Sequence, residues 1–151
     1  MLYFPKRLID QMIAHAQAEA PNECCGLLAG KEETVRQIYQ IANLPSGDPK
    51  VADLKVPPDR RFRYVMDPQA QLQAFKQMRR EGDEMLAIYH SHPHSAAYPS
   101  ATDIRLAFYP ESYYLIISLE NKKTPDVRMF RIIDQKITEE TLNVTGGRFF
   151  S

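Results

Sequence analysis

The first twenty residues place apolar side chains with the period of a helix. One face of residues 5–19 is apolar, and Pro5 suits the first turn. That face is formed by Leu8, Ile9, Met12, Ile13 and Ala16. Because Pro21 cannot continue a helix, the pattern predicts an amphipathic helix that ends before it.

A second helical pattern lies in the middle of the chain. Asp67 is a favourable N-cap and Pro68 fits the first helical position. The helical spacing of apolar residues continues until Gly82, which favours a helix end. A shorter helix is predicted to begin at Ser100 and to end near Pro110.

Short apolar runs around these helices predict strands. They cover residues 24–29, 34–42, 62–66, 85–89, 113–119, 127–134 and 136–144. Residues 43–61 hold four prolines and a glycine without a visible period, so we expect a long loop, of a length that is usually functional or mobile. The order of elements predicts an α/β fold with a mixed, mostly antiparallel sheet.

Composition narrows the possible classes of protein. The chain has 151 residues, which is one ordinary domain and too short for a TIM barrel of about 250 residues. Hydrophobic residues make up 44% and charged residues 25%, so a disordered chain is excluded. The net charge is zero, and we therefore expect no nucleic-acid partner.

The cysteines and the apolar runs indicate in which cellular compartment the protein is expected. Cys24 and Cys25 are adjacent and poorly placed to bridge each other, which favours a reducing, cytoplasmic setting. The first residues resemble neither a signal peptide nor a transit peptide. The longest strongly apolar window, residues 113–119, is far shorter than the roughly 20 residues of a membrane span, so no membrane association is expected.

Three of the four histidines lie within residues 90–94, where the predicted strand 85–89 ends. His90 and His92 are two residues apart, so an extended backbone points both imidazoles to one side. With a carboxylate such as Asp103 they could form a catalytic zinc site that keeps one position open for water. Zinc lowers the pKa of that water to about 7.

Other interpretations of the same residues remain open. Ser100 and Asp103 also fit a capping box, a purely structural role that is compatible with metal binding. Two histidines and a carboxylate also bind ferrous iron, although many such sites lie in all-β folds. The cysteines are expected to be core residues rather than metal ligands, and His15 a surface or packing residue.

The histidine region resembles the JAMM motif of the JAB1/MPN metallopeptidases. That pattern is H-[ST]-H, seven residues, S, two residues, D, and here His90, His92, residues 93–99, Ser100 and Asp103 match every spacing. Upstream, residues 21–30 read PNECCGLLAG, which is similar to the family's P-x-E-x-C-G-L-L-x-G.

This resemblance covers roughly residues 4–135 and implies a fold and a set of roles. The implied fold is a single JAB1/MPN-like domain at residues 1–144, a curved sheet flanked by helices in a cytidine-deaminase-like arrangement, with residues 145–151 as a flexible tail. His90, His92 and Asp103 would hold one Zn²⁺ per chain. Glu23 would be the general base, and Ser100 would donate a hydrogen bond to the oxyanion. His94 has no role in the pattern and is expected to face solvent.

The resemblance also implies a substrate. The chain is similar to compact prokaryotic members that cleave an amide or isopeptide bond after the C-terminal Gly-Gly of a ubiquitin-like sulfur-carrier protein. A diglycine tail can lie extended in a narrow groove because it has no side chains. A zinc hydrolase of small amides or peptides and a non-catalytic interaction scaffold are the alternatives, and the oligomeric state is left open.

Overall fold

The structure is a computed structural model that describes residues 1–51 and 59–146. Its helices are α1 (Lys6–Glu19), α2 (Pro68–Glu81) and α3 (Ala101–Arg105), with one 3-10 turn at Pro49–Val51. Its strands are β1 (Tyr3–Pro5), β2 (Cys25–Lys31), β3 (Thr34–Ile41), β4 (Glu84–His92), β5 (Tyr113–Ser118), β6 (Asp126–Ile133), β7 (Lys136–Glu140) and β8 (Asn143–Thr145).

The strands form one mixed sheet in the order β7-β6-β5-β4-β2-β3-β1-β8. Strand β4 pairs in parallel with β5, and β1 pairs in parallel with both β3 and β8. The other neighbours in the sheet are antiparallel. The predicted α/β fold with a mixed, mostly antiparallel sheet is therefore confirmed.

Two apolar cores cover the two faces of this sheet. Helix α1 buries Leu8, Met12 and Ala16 in one core, which also contains Ala87 and Tyr89 of β4. Helix α2 buries Ala74 and Met78 in the other, which contains Ile88. Since side chains alternate along a strand, the β4 residues in register with Ile88 point to the α2 face.

Most predicted elements are present, with shifted ends. Helix α2 begins after an Asp67 cap, whose side chain accepts from the Gln69 N–H, and ends at Gly82 in the left-handed conformation. Helix α3 ends at Arg105, five residues before the predicted end near Pro110. The predicted strand 136–144 is two strands, β7 and β8.

Three predictions about strands need correction. Strand β4 continues through His92, so the histidines lie within the strand rather than after it. The predicted strand 62–66 is wrong, because this segment bends and its ladder contact is a single bridge from Met66 to Asn43. Strand β1 has no counterpart among the predicted elements.

The expected loop 43–61 is described in part. Residues 43–51 and 59–61 lie within the described ranges, whereas the middle of this segment lies outside them. Of the expected tail 145–151, Thr145 belongs to β8, and residues 147–151 lie outside the described residues. No helix in the described parts of the chain is long and apolar enough to cross a membrane.

Candidate active site

His90, His92 and Asp103 converge at the end of β4. The two Nε2 atoms are 3.1 Å apart, and Asp103 Oδ2 lies 3.1 Å from His90 Nε2 and 3.0 Å from His92 Nε2. All three side chains are buried. Two imidazole nitrogens and one carboxylate oxygen that point at a common centre are the donor set of an open zinc site, so these residues fit a metal ion.

Local structure explains why the two histidines point the same way. Both lie in the extended backbone of β4, and Cys25 of β2 and Ile116 of β5 pair with His90 on either side. The ladder therefore fixes the backbone of the first histidine from both neighbours. The side chains emerge on the α2 face, where α3 begins.

The two imidazoles are oriented in different ways. His92 Nδ1 lies 2.8 Å from the Ala96 carbonyl, and an Nδ1–H donated there leaves Nε2 free as a metal ligand. His90 Nδ1 is buried and makes no hydrogen bond with a described residue. Instead, the His90 ring stacks on Tyr64, with centroids 4.6 Å apart.

Asp103 has two roles, one in the helix cap and one in the cluster. Ser100 Oγ accepts from the Asp103 N–H at 3.1 Å, and the Ser100 N–H donates to Asp103 Oδ2 at 2.9 Å. This capping box aims the oxygen that also faces both histidines. Burial alone would raise the pKa of Asp103, but the charges and hydrogen bonds of His90 and His92 outweigh it and hold the pKa below its usual range.

Glu23 lies two residues before β2, the strand that pairs with β4. Its side chain is 4% exposed, and its Oε1 atom has no hydrogen-bond partner among the described residues. Burial raises the pKa of Glu23 to about 9, the charge of Asp103 adds to the rise, and Arg63 opposes it. A buried carboxyl group whose pKa is raised by burial and by the charge of a nearby carboxylate is typical of a functional site.

Ser91 joins the two halves of the site. The Cys24 N–H donates to Ser91 Oγ at 2.8 Å, and the Ser91 N–H donates to the Cys24 carbonyl at 3.1 Å. Glu23 and the histidines are therefore held in register by the residues next to them in the chain.

The remaining histidines and the cysteines lie apart from this cluster. His94 is exposed and packs near Phe62. His15 Nδ1 lies 2.7 Å from the Tyr89 hydroxyl, a packing contact of α1. Cys24 and Cys25 are free, buried thiols, and burial raises the pKa of Cys24 to about 12, as befits core residues.

Sequence reasoning missed two residues of the site, Tyr64 and Asn43. Tyr64 covers the His90 ring, and Asn43 hydrogen-bonds the Glu23 carbonyl. Neither belongs to a motif with recognisable spacing. The available signal was a polar residue two positions after the end of β3, which alone does not point to a site.

An apolar pocket of about 330 Å³ shares Tyr64 with the histidine cluster, because the Tyr64 ring stacks on His90. Tyr64 and Ile88 form the wall nearest His90. The pocket is lined by Tyr64, Val65, Met66, Pro68, Gln71, Ile88, Leu106, Phe108, Tyr109 and Tyr114. It offers an apolar surface close to His90.

Comparison with known proteins gives concordant matches. A family model described as prokaryotic homologs of the JAB domain matches residues 5–133. The chain is 34% identical to a CysO-cysteine peptidase of Mycobacterium bovis, over 91% of this chain and 86% of that protein. It is 38% identical to a probable TtuB-protein conjugate cleaving protease of Thermus thermophilus, over 76% and 69% respectively.

A solved structure agrees with the fold over nearly the whole chain. Protein DSY2949 from Desulfitobacterium hafniense superposes with a TM-score of 0.79 at 38% identity, covering 96% of this chain and 93% of that one.

Proposed function

The chain belongs to the family of prokaryotic homologs of the JAB domain, and from this we propose that it is a zinc-dependent metallopeptidase. In this proposal it hydrolyses the amide or isopeptide bond after the C-terminal Gly-Gly of a ubiquitin-like sulfur-carrier protein. One observation carries the chemistry: two imidazoles of β4 and the carboxylate of Asp103 in α3 converge at 3.0–3.1 Å. Beside β4, a buried glutamate precedes β2, and its Oε1 atom has no hydrogen-bond partner among the described residues.

In this proposal each residue has one task. His90, His92 and Asp103 hold the zinc ion. A bound zinc ion would act as a Lewis acid that polarises the scissile carbonyl and lowers the pKa of the attacking water. Glu23 takes a proton from that water and delivers it to the leaving amine.

Ser100 is proposed to stabilise the carbonyl oxygen as it gains negative charge. Its oxygen accepts a hydrogen bond in the helix cap, and a hydroxyl in that role still has a proton to donate. Loss of one such donor typically lowers the rate about 10²–10³-fold.

The names of the relatives support the substrate class. One is a CysO-cysteine peptidase and the other a probable TtuB-protein conjugate cleaving protease, so both act on a bond to a named carrier or protein conjugate. We infer that this chain acts on a comparable conjugate. Its unpaired, buried cysteines support a reducing compartment, for which we propose the cytoplasm.

Cleavage of a defined substrate tests the proposal. Zinc-loaded protein is mixed with a diglycine-ended sulfur carrier that bears a C-terminal extension, and the products are identified by intact mass. We expect cleavage after Gly-Gly, which is lost on chelation and in Glu23→Ala, although Glu23→Ala still binds zinc. A Glu23→Ala protein that cleaves as fast as the wild type would show that Glu23 is not the base.

Two alternatives predict different outcomes of this experiment. Protein that holds zinc but leaves the carrier intact would indicate a hydrolase of small amides or peptides, for which the apolar pocket beside His90 offers a site. Protein that neither holds zinc nor cleaves would indicate an interaction scaffold.

A further inference from the structure

Asn43 lies two residues after the end of β3, and its side chain uses all of its hydrogen-bonding capacity. Its Nδ2 donates to the Glu23 carbonyl at 2.9 Å and to the Arg63 carbonyl at 3.0 Å. Its Oδ1 accepts from Arg63 Nη1 at 2.8 Å and from the Val65 N–H at 2.9 Å. The residue is 8% exposed, so these bonds lie largely away from solvent.

Both ends of this network reach the candidate active site. On one side, Asn43 holds the carbonyl of Glu23, while the Glu23 N–H donates to the Arg60 carbonyl at 2.8 Å. On the other side, it holds the residues before and after Tyr64, and Tyr64 stacks on His90 with an interplanar angle of 28°.

The segment around Tyr64 needs this support because it lacks a regular ladder. Residues 60–65 form no strand, and their backbone bonds to other parts of the chain are irregular. The Arg60 carbonyl accepts from the Glu23 N–H, the Val65 carbonyl accepts from the Leu44 N–H at 2.9 Å, and a single bridge follows at Met66. Glu23 likewise precedes the first paired residue of β2, Cys25. One carboxamide therefore adds to the sparse backbone bonds on both sides.

Arg63 adds a buried positive charge to this hydrogen-bond network. Its side chain is 1% exposed, and Nη1 also donates to the Leu44 carbonyl at 2.7 Å. The guanidinium thus lies fixed in the interior near Glu23, where its charge favours the ionised carboxylate.

We propose that Asn43 is a positioning residue of the active site, which fixes the backbone of Glu23 relative to the Tyr64 ring that covers His90. It acts through these two residues and does not touch the substrate. The inference rests on the proposed role of Glu23 as general base.

Kinetics of Asn43→Ala test the first half of the proposal. We expect kcat for the diglycine substrate to fall about tenfold to a hundredfold, because a misplaced base loses its near-attack geometry. KM should stay within about twofold, since ground-state binding is not touched. Zinc content should stay as in the wild type.

The double variant separates positioning from general damage. In a Glu23→Ala background, Asn43→Ala should cause no further loss, because a residue that acts through Glu23 has nothing left to position. The matched control is Asn143→Ala, which removes an asparagine that donates to the Leu2 carbonyl far along the sheet and should leave kcat unchanged.

Histidine NMR tests the second half without any turnover. In ¹⁵N-histidine-labelled protein as purified, Tyr64→Leu removes the ring over His90 and should shift the His90 resonances. Asn43→Ala should shift them in the same direction, and Asn143→Ala should not. If the wild type cleaves no diglycine substrate, the proposed function fails, but this spectrum still decides whether Asn43 positions Tyr64.

Three results would overturn the proposal: an unchanged kcat in folded Asn43→Ala, an additive loss in the double variant, or unmoved His90 resonances. If Asn43→Ala does not fold, Asn43→Asp carries the same tests. It keeps the size and the two acceptor contacts but loses the donors to Glu23 and Arg63.

Discussion

Ser91 and Cys24 exchange two hydrogen bonds across β2 and β4: the Cys24 N–H donates to Ser91 Oγ and the Ser91 N–H to the Cys24 carbonyl. Ser91 stands between His90 and His92, and Cys24 follows Glu23. Together with the ladder between β2 and β4, this contact holds Glu23 in register with His90 and His92.

Removing this hydroxyl should destabilise the protein. In Ser91→Ala the buried Cys24 N–H loses its acceptor, which typically costs about 1–3 kcal/mol. Urea denaturation would measure the loss, and Ser46→Ala, at an exposed serine, is the matched control. A Ser91→Ala protein as stable as the wild type would contradict the structural role assigned to this hydroxyl.

Asp103→Asn should lose zinc while keeping helix α3. The asparagine oxygen can still accept from the Ser100 N–H, so the cap survives, but the anionic ligand is gone. We expect the affinity for zinc to fall by more than the roughly 10–100-fold that follows loss of a residue hydrogen-bonded to a metal ligand. Metal analysis after competition with a chelator measures it, with Asp10→Asn on the surface of α1 as control. Zinc held as tightly as in the wild type would remove Asp103 from the ligand set.

Ser100 can be tested for its two roles separately. Ser100→Ala should cost about 1 kcal/mol through loss of the cap and about 10²–10³-fold in kcat through loss of the oxyanion donor. Ser100→Thr keeps a hydroxyl and should restore both. Melting curves and steady-state kinetics on the same samples distinguish the two effects. If kcat falls only as far as the lower stability of the variant explains, Ser100 is a helix cap and not an oxyanion donor.

The pH dependence of the metal-free protein should report on Glu23. Burial raises the pKa of Glu23 from 4.5 to about 9 in the folded state. The folded protein then binds a proton that the unfolded chain releases, so stability is full below about pH 4.5 and falls as the pH rises towards 9. The loss is at most about 1.4 kcal/mol per pH unit.

Glu23→Gln removes this titration. With a chelator present, its melting temperature should exceed that of the wild type by more at pH 8 than at pH 5. Glu111→Gln, the same substitution on an exposed side chain, is the control. An equal difference at both pH values would mean that Glu23 is ionised in the folded, metal-free protein.

The sequence predicted the helices and the central strands because their signals are local. The Asp67 cap, the Gly82 end and the apolar faces of α1 and α2 all act within a few residues. The common direction of the His90 and His92 side chains was predictable for the same reason, since residues two apart in a strand lie on the same face. The convergence of Asp103 was predicted by motif resemblance, and the structure supplies its physical basis in the cap of α3.

What could not be predicted depends on distant partners. Residues 62–66 look like a strand, but Arg63 and Val65 are held by the side chain of Asn43, which no periodicity reveals. Strand β1 is three residues long and exists because β3 and β8 lie beside it. Tyr64 carries no sign in the sequence that its ring will cover His90.

The pairing of β1 with β8 bears on the order of folding during synthesis. Tyr3 lies opposite Asn143, and the Asn143 side chain donates to the Leu2 carbonyl across 141 positions of sequence. Contacts between residues so far apart in the sequence form late, because the entropy of closing a long loop is lost before the contacts can stabilise the chain. On the ribosome, Glu23 and the cluster of His90, His92 and Asp103 have all been synthesised before β8. The half of the sheet that carries the candidate site can therefore assemble first, while β1 keeps an open edge until β8 pairs with it.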